Sequence, residues 1–510
     1  MAVFHSIKGP AEAAKLMTWF MHQTSQVFSL TYVVNRLRTL VLNHLNVMDN
    51  EQKTDLRNSL YAAIQDKFMS LPGFLIDDLA RTLALVVMFT WFDLVESKGV
   101  IDSILEMGAT SDKHSILALQ MMRAFVEEFN KELPPKYISR QRRVVVTFRD
   151  KQLKSIFEHA LRAMRSAIGG ASESKRQVLS QALLVQRDCL GFDFIGLAPD
   201  EASDEAVAIQ IPSTWKDLIQ VEGFLDAYFE GYAHCGPPLS SQFLEVLVLV
   251  ASIRRSFYME AVRIGFVKRM SAGIAEILVG AVGLDDVDNY HHMCRLLARF
   301  RCIHTLVEIE DAPVYRTLLV AAAGFTATGL GLWEWSANSF APLLTFWAKV
   351  GAAHDGRDSA NTDICGDVIA DTLPRVVTEY LRAMVQATAR AARGDALGDS
   401  PLESTDDLLE NMALVAAIAR ASYAASGAAV LALARDMAGE YQALLNGGQA
   451  GADEVAACEA QLAWPVYAAA QCIGARQPYR SQAEDDALDA ELFAVALELD
   501  HVVRQRLQHG

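Results

Sequence analysis

Phe243–Val250 reads FLEVLVLV and Leu83–Phe92 reads LALVVMFTWF. Wound as helices, both are apolar on more than one face, and such a helix has to be covered from two sides. A stack of helical hairpins supplies that cover, because each inner layer lies between two neighbours. Working outward, apolar segments of helical length follow one another, separated by short polar or Gly/Pro breaks. Alternating period-2 runs and Asn-Gly turns do not occur as a series. The pattern predicts helices over 26–46, 52–69, 74–91, 95–107, 113–131, 150–167, 174–190, 216–231 and 240–256. It continues from 258–280 through 286–301, 312–330 and 338–350 to 363–392, 403–420, 422–446, 452–474 and 485–506. Residues 131–143 (KELPPKYISRQRR), 196–213, 351–364 and 393–405 read as loops. A unit of two helices recurs about every 40 residues, the HEAT or armadillo period. The expected fold is an all-α, right-handed α-solenoid of HEAT-like hairpins. Leu244, Val248, Ile253, Leu296, Leu297 and Trp347 are expected between its layers.

The 510 residues are 52% hydrophobic and 21% charged, a globular composition. A net charge of −16 argues against a general nucleic-acid binder, which needs a broad basic face to displace counterions. Seven cysteines, an odd number with no CxxC, read as reduced thiols of a cytosolic or nuclear protein. The first twenty residues lack the layout of a signal peptide. The longest uncharged stretch, Thr317–Trp333, falls short of the ~18 to 20 apolar residues that span a bilayer, and reads as a buried helix.

Little in the chain suggests chemistry. His291, His292, Cys294, Cys302 and His304 could ligate zinc by type, but their spacing matches no zinc frame, and core packing is the expected role. Gly329 and Gly331 begin a GxGxxG whose third position is Glu334, and no GxxxxGK[ST] occurs. No GxSxG or HExxH stands out, and Trp333, Glu334 and Trp335 read as a packing unit at a helix end. No enzyme activity, metal or cofactor is expected. Charge is more informative. Lys136, Arg140, Arg142, Arg143, Arg149, Lys151 and Lys154, followed by Arg162 and Arg165, cluster in an otherwise acidic chain. They read either as a solvated face or as a docking segment for an acidic partner. Asp200, Glu201, Asp204 and Glu205, and again Glu484, Asp485, Asp486 and Asp489, form acidic stretches that read as solvated loops or as surfaces for a basic partner.

Several strings carry a family resemblance. They are Gln52–Asn58 (QKTDLRN), Thr147–Asp150 with Ile156–Phe157, Leu190–Gly196 (LGFDFIG), Ile209–Trp215 (IQIPSTW) and Ala251–Ser256 (ASIRRS). Asn289–Arg299 (NYHHMCRLLAR), Trp333–Ser339 (WEWSANS), Leu462–Tyr467 (LAWPVY) and Glu484–Leu492 (EDDALDAEL) follow. In this order and spacing they resemble the exportin-7 family of nuclear transport receptors, within the importin-β superfamily. The resemblance implies a nuclear export receptor that shuttles between nucleus and cytoplasm. It would carry protein cargo with Ran in its GTP form and meet FG-repeat nucleoporins, with no covalent chemistry, no direct nucleic acid and no membrane insertion. It also implies a division: 1–24 as a divergent or truncated first hairpin, 25–130 as the Ran-binding arch, and 131–510 as continuing repeats. The family's chains run on further, so this one corresponds to their N-terminal half. A non-transport HEAT scaffold and an import receptor share the fold; Ran binding separates the first from an exportin, and the sign of its coupling to cargo separates the second.

Overall fold

The structure is a computed structural model that describes residues 9–134, 138–194, 208–305, 313–355, 365–394, 400–446, 451–476 and 483–509. It is all-α, built of helical hairpins stacked side by side. Among the described residues the one extended pairing is an isolated parallel bridge between Ile209 and Ile253. The chain divides into two compact units, Met1–Phe257 and Tyr258–Gly510.

In the first unit, α1 (Pro10–Gln23) pairs with α2 (Val27–His44), α3 (Asn50–Lys67) with α4 (Gly73–Thr90), and α5 (Glu96–Gly108) with α6 (Asp112–Asn130). Next, α7 (Ile138–Phe148) runs through a π-helical turn, Arg149–Leu153, into α8 (Lys154–Ala167), which pairs with α9 (Glu173–Leu190). After the single turn α10 (Lys216–Ile219), α11 (Phe224–His234) pairs with α12 (Leu239–Ala251). The second members α2, α4, α6, α9 and α12 pack successively on one another as a row. Starts are set locally. Asp49 and Gln52 form a reciprocal capping box on α3, and Ser111 and Ser172 accept from the backbone at the starts of α6 and α9.

The two decisive strings sit in that row. Leu83 to Met88 on α4 are all buried, as are Phe243, Leu244, Val246, Leu247, Val248 and Val250 on α12. Each helix is covered by its hairpin partner and by row neighbours. The hairpin of α11 and α12 closes tightly, since a Cβ added at Gly231 would run into the Phe243 ring.

Two local readings need correction. The helix expected over 216–231 is broken, because Gly223 at φ +77° separates α10 from α11. The loop expected over 131–143 is helical from Ile138 onward: Val144 and Phe148 bury one face of α7, and the Pro134–Pro135 pair stops short of it.

In the second unit, α13 (Glu260–Gly280) and α14 (Val287–Ile303) open the stack. They are followed by α15 (Pro313–Gly331), the single turn α16 (Trp333–Ser336), α17 (Phe340–Asp355) and α18 (Gly366–Ala392). The unit ends with α19 (Thr405–Ala421), α20 (Tyr423–Asn446), α21 (Ala452–Gly474) and α22 (Ala483–His509). One row runs α13, α15, α18, α21 and another α14, α17, α19, while α20 packs on α18, α21 and α22. The six expected core residues are all buried. The uncharged Thr317–Trp333 stretch is only half covered: α15 buries Leu318, Leu319, Ala322 and Leu330 but leaves Val320 half exposed beside a cleft. Among the described residues no single helix is long and apolar enough to cross a membrane, and the axis bends by 97° after Gly331.

Candidate partner-docking surface

The basic segment lies on the α7–α8 rod. Its inward stripe is Val144, Phe148, Leu153, Ile156 and Phe157, all buried. Phe148 anchors the rod in an aromatic cluster, 4.3 Å from Phe129, 6.2 Å from Trp91 and 6.0 Å from Phe192 between ring centres. From Phe148 to the next stripe residue, Leu153, is five positions rather than four, and the π turn absorbs the extra one.

The seven basic residues separate by role. Lys136 lies outside the described residues, and Arg140 falls in the first turn of α7. Arg149 is structural: its Nη1 donates to the Phe194 carbonyl at 2.8 Å and its Nε to Asp150 at 2.8 Å. Lys154 ties α8 to α10, donating to both Asp217 oxygens at 2.7 Å. Arg142, Arg143 and Lys151 are exposed. Arg143 leans over the ring of Phe92, 5.3 Å from its centre, and Lys98 stands 5.7 Å from the same ring. Phe92 is not legible as a surface residue from sequence, since it ends the apolar run that reads as core.

A second charged feature runs along the row of second members. Arg38 on α2 reaches Glu128 on α6 at 2.6 Å, and Arg81 on α4 pairs with Glu127. Arg123 bridges Glu127 at 2.9 Å and Asp188 on α9 at 3.1 Å, and Arg187 joins Asp188 to Glu245 on α12. All five helices of the row contribute to this network, and its members are mostly half-buried, where such pairs are less screened than surface ones.

The acidic stretches also divide. Asp200, Glu201, Asp204 and Glu205 lie outside the described residues. The second stretch opens helix α22, where a helix over 485–506 was expected, with Glu484 exposed and Asp486 paired to Arg476. Asp489 turns inward and is buried, because the 3.6-residue period carries it to the face that also buries Leu492. Among the described residues no three His, Cys, Asp or Glu side chains converge as metal ligands do. Cys294 is buried in α14, His291 shares a hydrogen bond with Ser339 at 3.1 Å, and the His304 ring packs against Phe266 and Phe300.

Burial, with help from Arg295 and His291, pushes the His292 imidazole down to about 4. A lowered histidine favours the fold above its unfolded pKa of ~6.5 and loses that contribution as pH falls through the folded value. The melting temperature should therefore drop between pH ~6.5 and ~4, and His292→Gln should flatten that slope by about 2 kcal/mol across the window, the partial exposure of the ring included. Thermal melts of both proteins over this range make the check; a parallel fall in the variant would place the titration elsewhere.

A cleft of about 1060 Å³ opens between α13, α15 and α18. Tyr290, Phe325, Trp333, Trp335, Leu332 and Val320 line it, with Gln386 holding the Trp333 indole at 3.1 Å.

Exportin-7-B of Xenopus laevis is 29% identical to this chain over 497 residues, 96% of the chain and 45% of that protein. Ran-binding protein 17 of Homo sapiens is 28% identical over 470 residues, covering 90% of the chain and 42% of its own length. The sequence model of a family described as Exportin-7-like, TPR domain matches residues 388–510. Over nine-tenths of its length or more, the chain is similar to these exportin-7 and Ran-binding proteins. Exportin-7 of Dictyostelium discoideum is more distant, 25% identical over 385 residues, 75% of the chain and 37% of that protein. The chain spans less than half the length of these relatives. The family's TPR match begins inside α18 and takes in α19 to α22. Several family-like strings sit where helices end or meet: LGFDFIG after α9, ASIRRS after α12, and WEWSANS at the turn between α15 and α17.

Proposed function

We propose that this chain is a member of the exportin-7 family and acts in nuclear export, carrying protein cargo through the nuclear pore under the control of Ran in its GTP form. The observation that carries the reading is the likeness, over nine-tenths of the chain or more, to proteins named exportin and Ran-binding protein. RanGTP would engage the helices of residues 25–130, and the exposed Arg142, Arg143 and Lys151 would extend that contact to an acidic surface of Ran or of cargo. The chain would contribute binding energy and no covalent chemistry. GTP hydrolysis would reverse the complex, because the switch segments of a GTPase stay ordered only while the γ-phosphate holds them. Cargo and Ran would then be linked by a coupling free energy on one array. The cleft between α13, α15 and α18, walled by aromatic side chains and open to solvent, would take the Phe side chains of FG-repeat nucleoporins. The protein would be found in both nucleus and cytoplasm.

Calorimetric titration against RanGTP and RanGDP, with cargo present, tests this. RanGTP should bind at least about tenfold more tightly, and more weakly as salt rises. Reversing Arg142, Arg143 and Lys151 together to Glu should weaken binding roughly tenfold. Equal affinity for the two nucleotide states, or none for either, would favour a HEAT scaffold.

A further inference from the structure

Phe92 is 46% exposed at the end of α4, with two cations leaning on its ring: Lys98 from α5 and Arg143 from α7. Val95, 86% exposed, lies between Phe92 and Lys98 in the chain. Val146, also 46% exposed, stands one helical turn beyond Arg142 and Arg143 on the same face of α7. An exposed apolar corner therefore lies against Lys98 and Arg143, with Arg142 beside Arg143 on α7.

Those charges differ from five other arginines of this unit. Arg38, Arg81, Arg123, Arg149 and Arg187 each hold a carboxylate. Among the described residues, Lys98, Arg142 and Arg143 have no carboxylate within ion-pair distance. That is unexpected in a chain of net charge −16. Like charges around one ring repel, and the negative face of the ring offsets only part of that. Among the described residues the three cations have no carboxylate partner, and the exposed ring and valines have no apolar cover.

We propose that Phe92, Val95, Lys98, Arg142, Arg143 and Val146 form a docking site for an acidic polypeptide segment that carries an apolar side chain between its carboxylates. The apolar side chain would cover the exposed edge of Phe92 and the two valines, and flanking carboxylates would meet the three cations. The proposal deepens the basic-segment reading given above, and it adds an apolar anchor supplied by the α4–α5 connection. A nucleic acid would meet the same cations, but three charges on an acidic protein make a poor phosphate track.

The test is fluorescence anisotropy of the 510-residue chain with two labelled Glu-rich peptides of roughly twelve residues, one with a central Phe and one with Ala there. The Phe peptide should bind about tenfold more tightly. Phe92→Ser, or Val95→Ser at a still more exposed position, should erase that preference, and Lys98→Glu should weaken both peptides. If the Arg142→Glu, Arg143→Glu pair weakens both peptides while Phe and Ala bind alike, the apolar anchor is wrong and the basic docking segment stands. If no substitution weakens either peptide, both ideas fall. An oligouridylate of similar length binding more tightly than the Phe peptide would assign the surface to nucleic acid.

Discussion

Leu296→Asp should cost about 4 kcal/mol or more and unfold the middle of the second unit. Leu296 is fully buried on α14, which packs against α17. Met293, Cys294, Leu297 and Phe300 around it are buried as well, so an aspartate there would find neither water nor a cation. The loss has two parts, the forfeited apolar burial and the desolvation of a carboxylate. Leu296→Met, which keeps volume and polarity, should cost less than about 1.5 kcal/mol. Hydrogen exchange across α14 and α17, together with denaturant melts, reads both variants. An Asp variant with an unchanged midpoint and full protection would show that α14 faces solvent at this position.

Arg420→Ala should cost about 3–5 kcal/mol, although it removes a charged residue. The Arg420 guanidinium donates to Asp489 at 2.9 Å and to the Cys472 carbonyl at 2.7 Å, and lies 3.8 Å from the Tyr423 ring centre. Tyr423 donates to the same carboxylate, and burial together with that bond holds its phenol well above the usual tyrosine range. Both ion-pair side chains are nearly enclosed, at 15% and 10% exposure. Truncating the arginine strands Asp489 as a buried, uncompensated anion between α19 and α22. The double variant Arg420→Met, Asp489→Leu should recover most of the loss, because the cost lies in the stranded charge. A double variant as unstable as Arg420→Ala would assign the effect to the hydrogen bond at Cys472 instead.

Helices that are apolar on several faces were the most legible part of the fold. The α21 range read from periodicity, 452–474, coincides with the observed helix. Where side chains are long and charged, periodicity loses its grip. The arginines and glutamine of 139–143 hide the start of α7, whose direction is set by the contacts of Val144 and Phe148 with distant helices. The docking segment was legible as a cluster of charge but not as a surface. Whether a cation is exposed depends on a partner far along the chain, as Phe194 is for Arg149 and Asp217 for Lys154. Phe92 was hidden by its own apolar run. Nothing local distinguishes the last residue of a buried helix from the first of an exposed corner.

The π turn at Arg149–Leu153 has a meaning in terms of chain length. It stores one residue more than an α-helix needs between Phe148 and Leu153, and so keeps both in a single line. Nearly everywhere else in a packed array, dropping one residue from a helix swings every later side chain by about 100° and empties the interface beyond. Here the rod has slack: losing one of the intervening four residues would relax the turn to ordinary α-helix with Ile156 and Phe157 still facing inward. A one-residue deletion that is forbidden in the neighbouring helices has a place at this point of the rod, next to the cations that reach solvent.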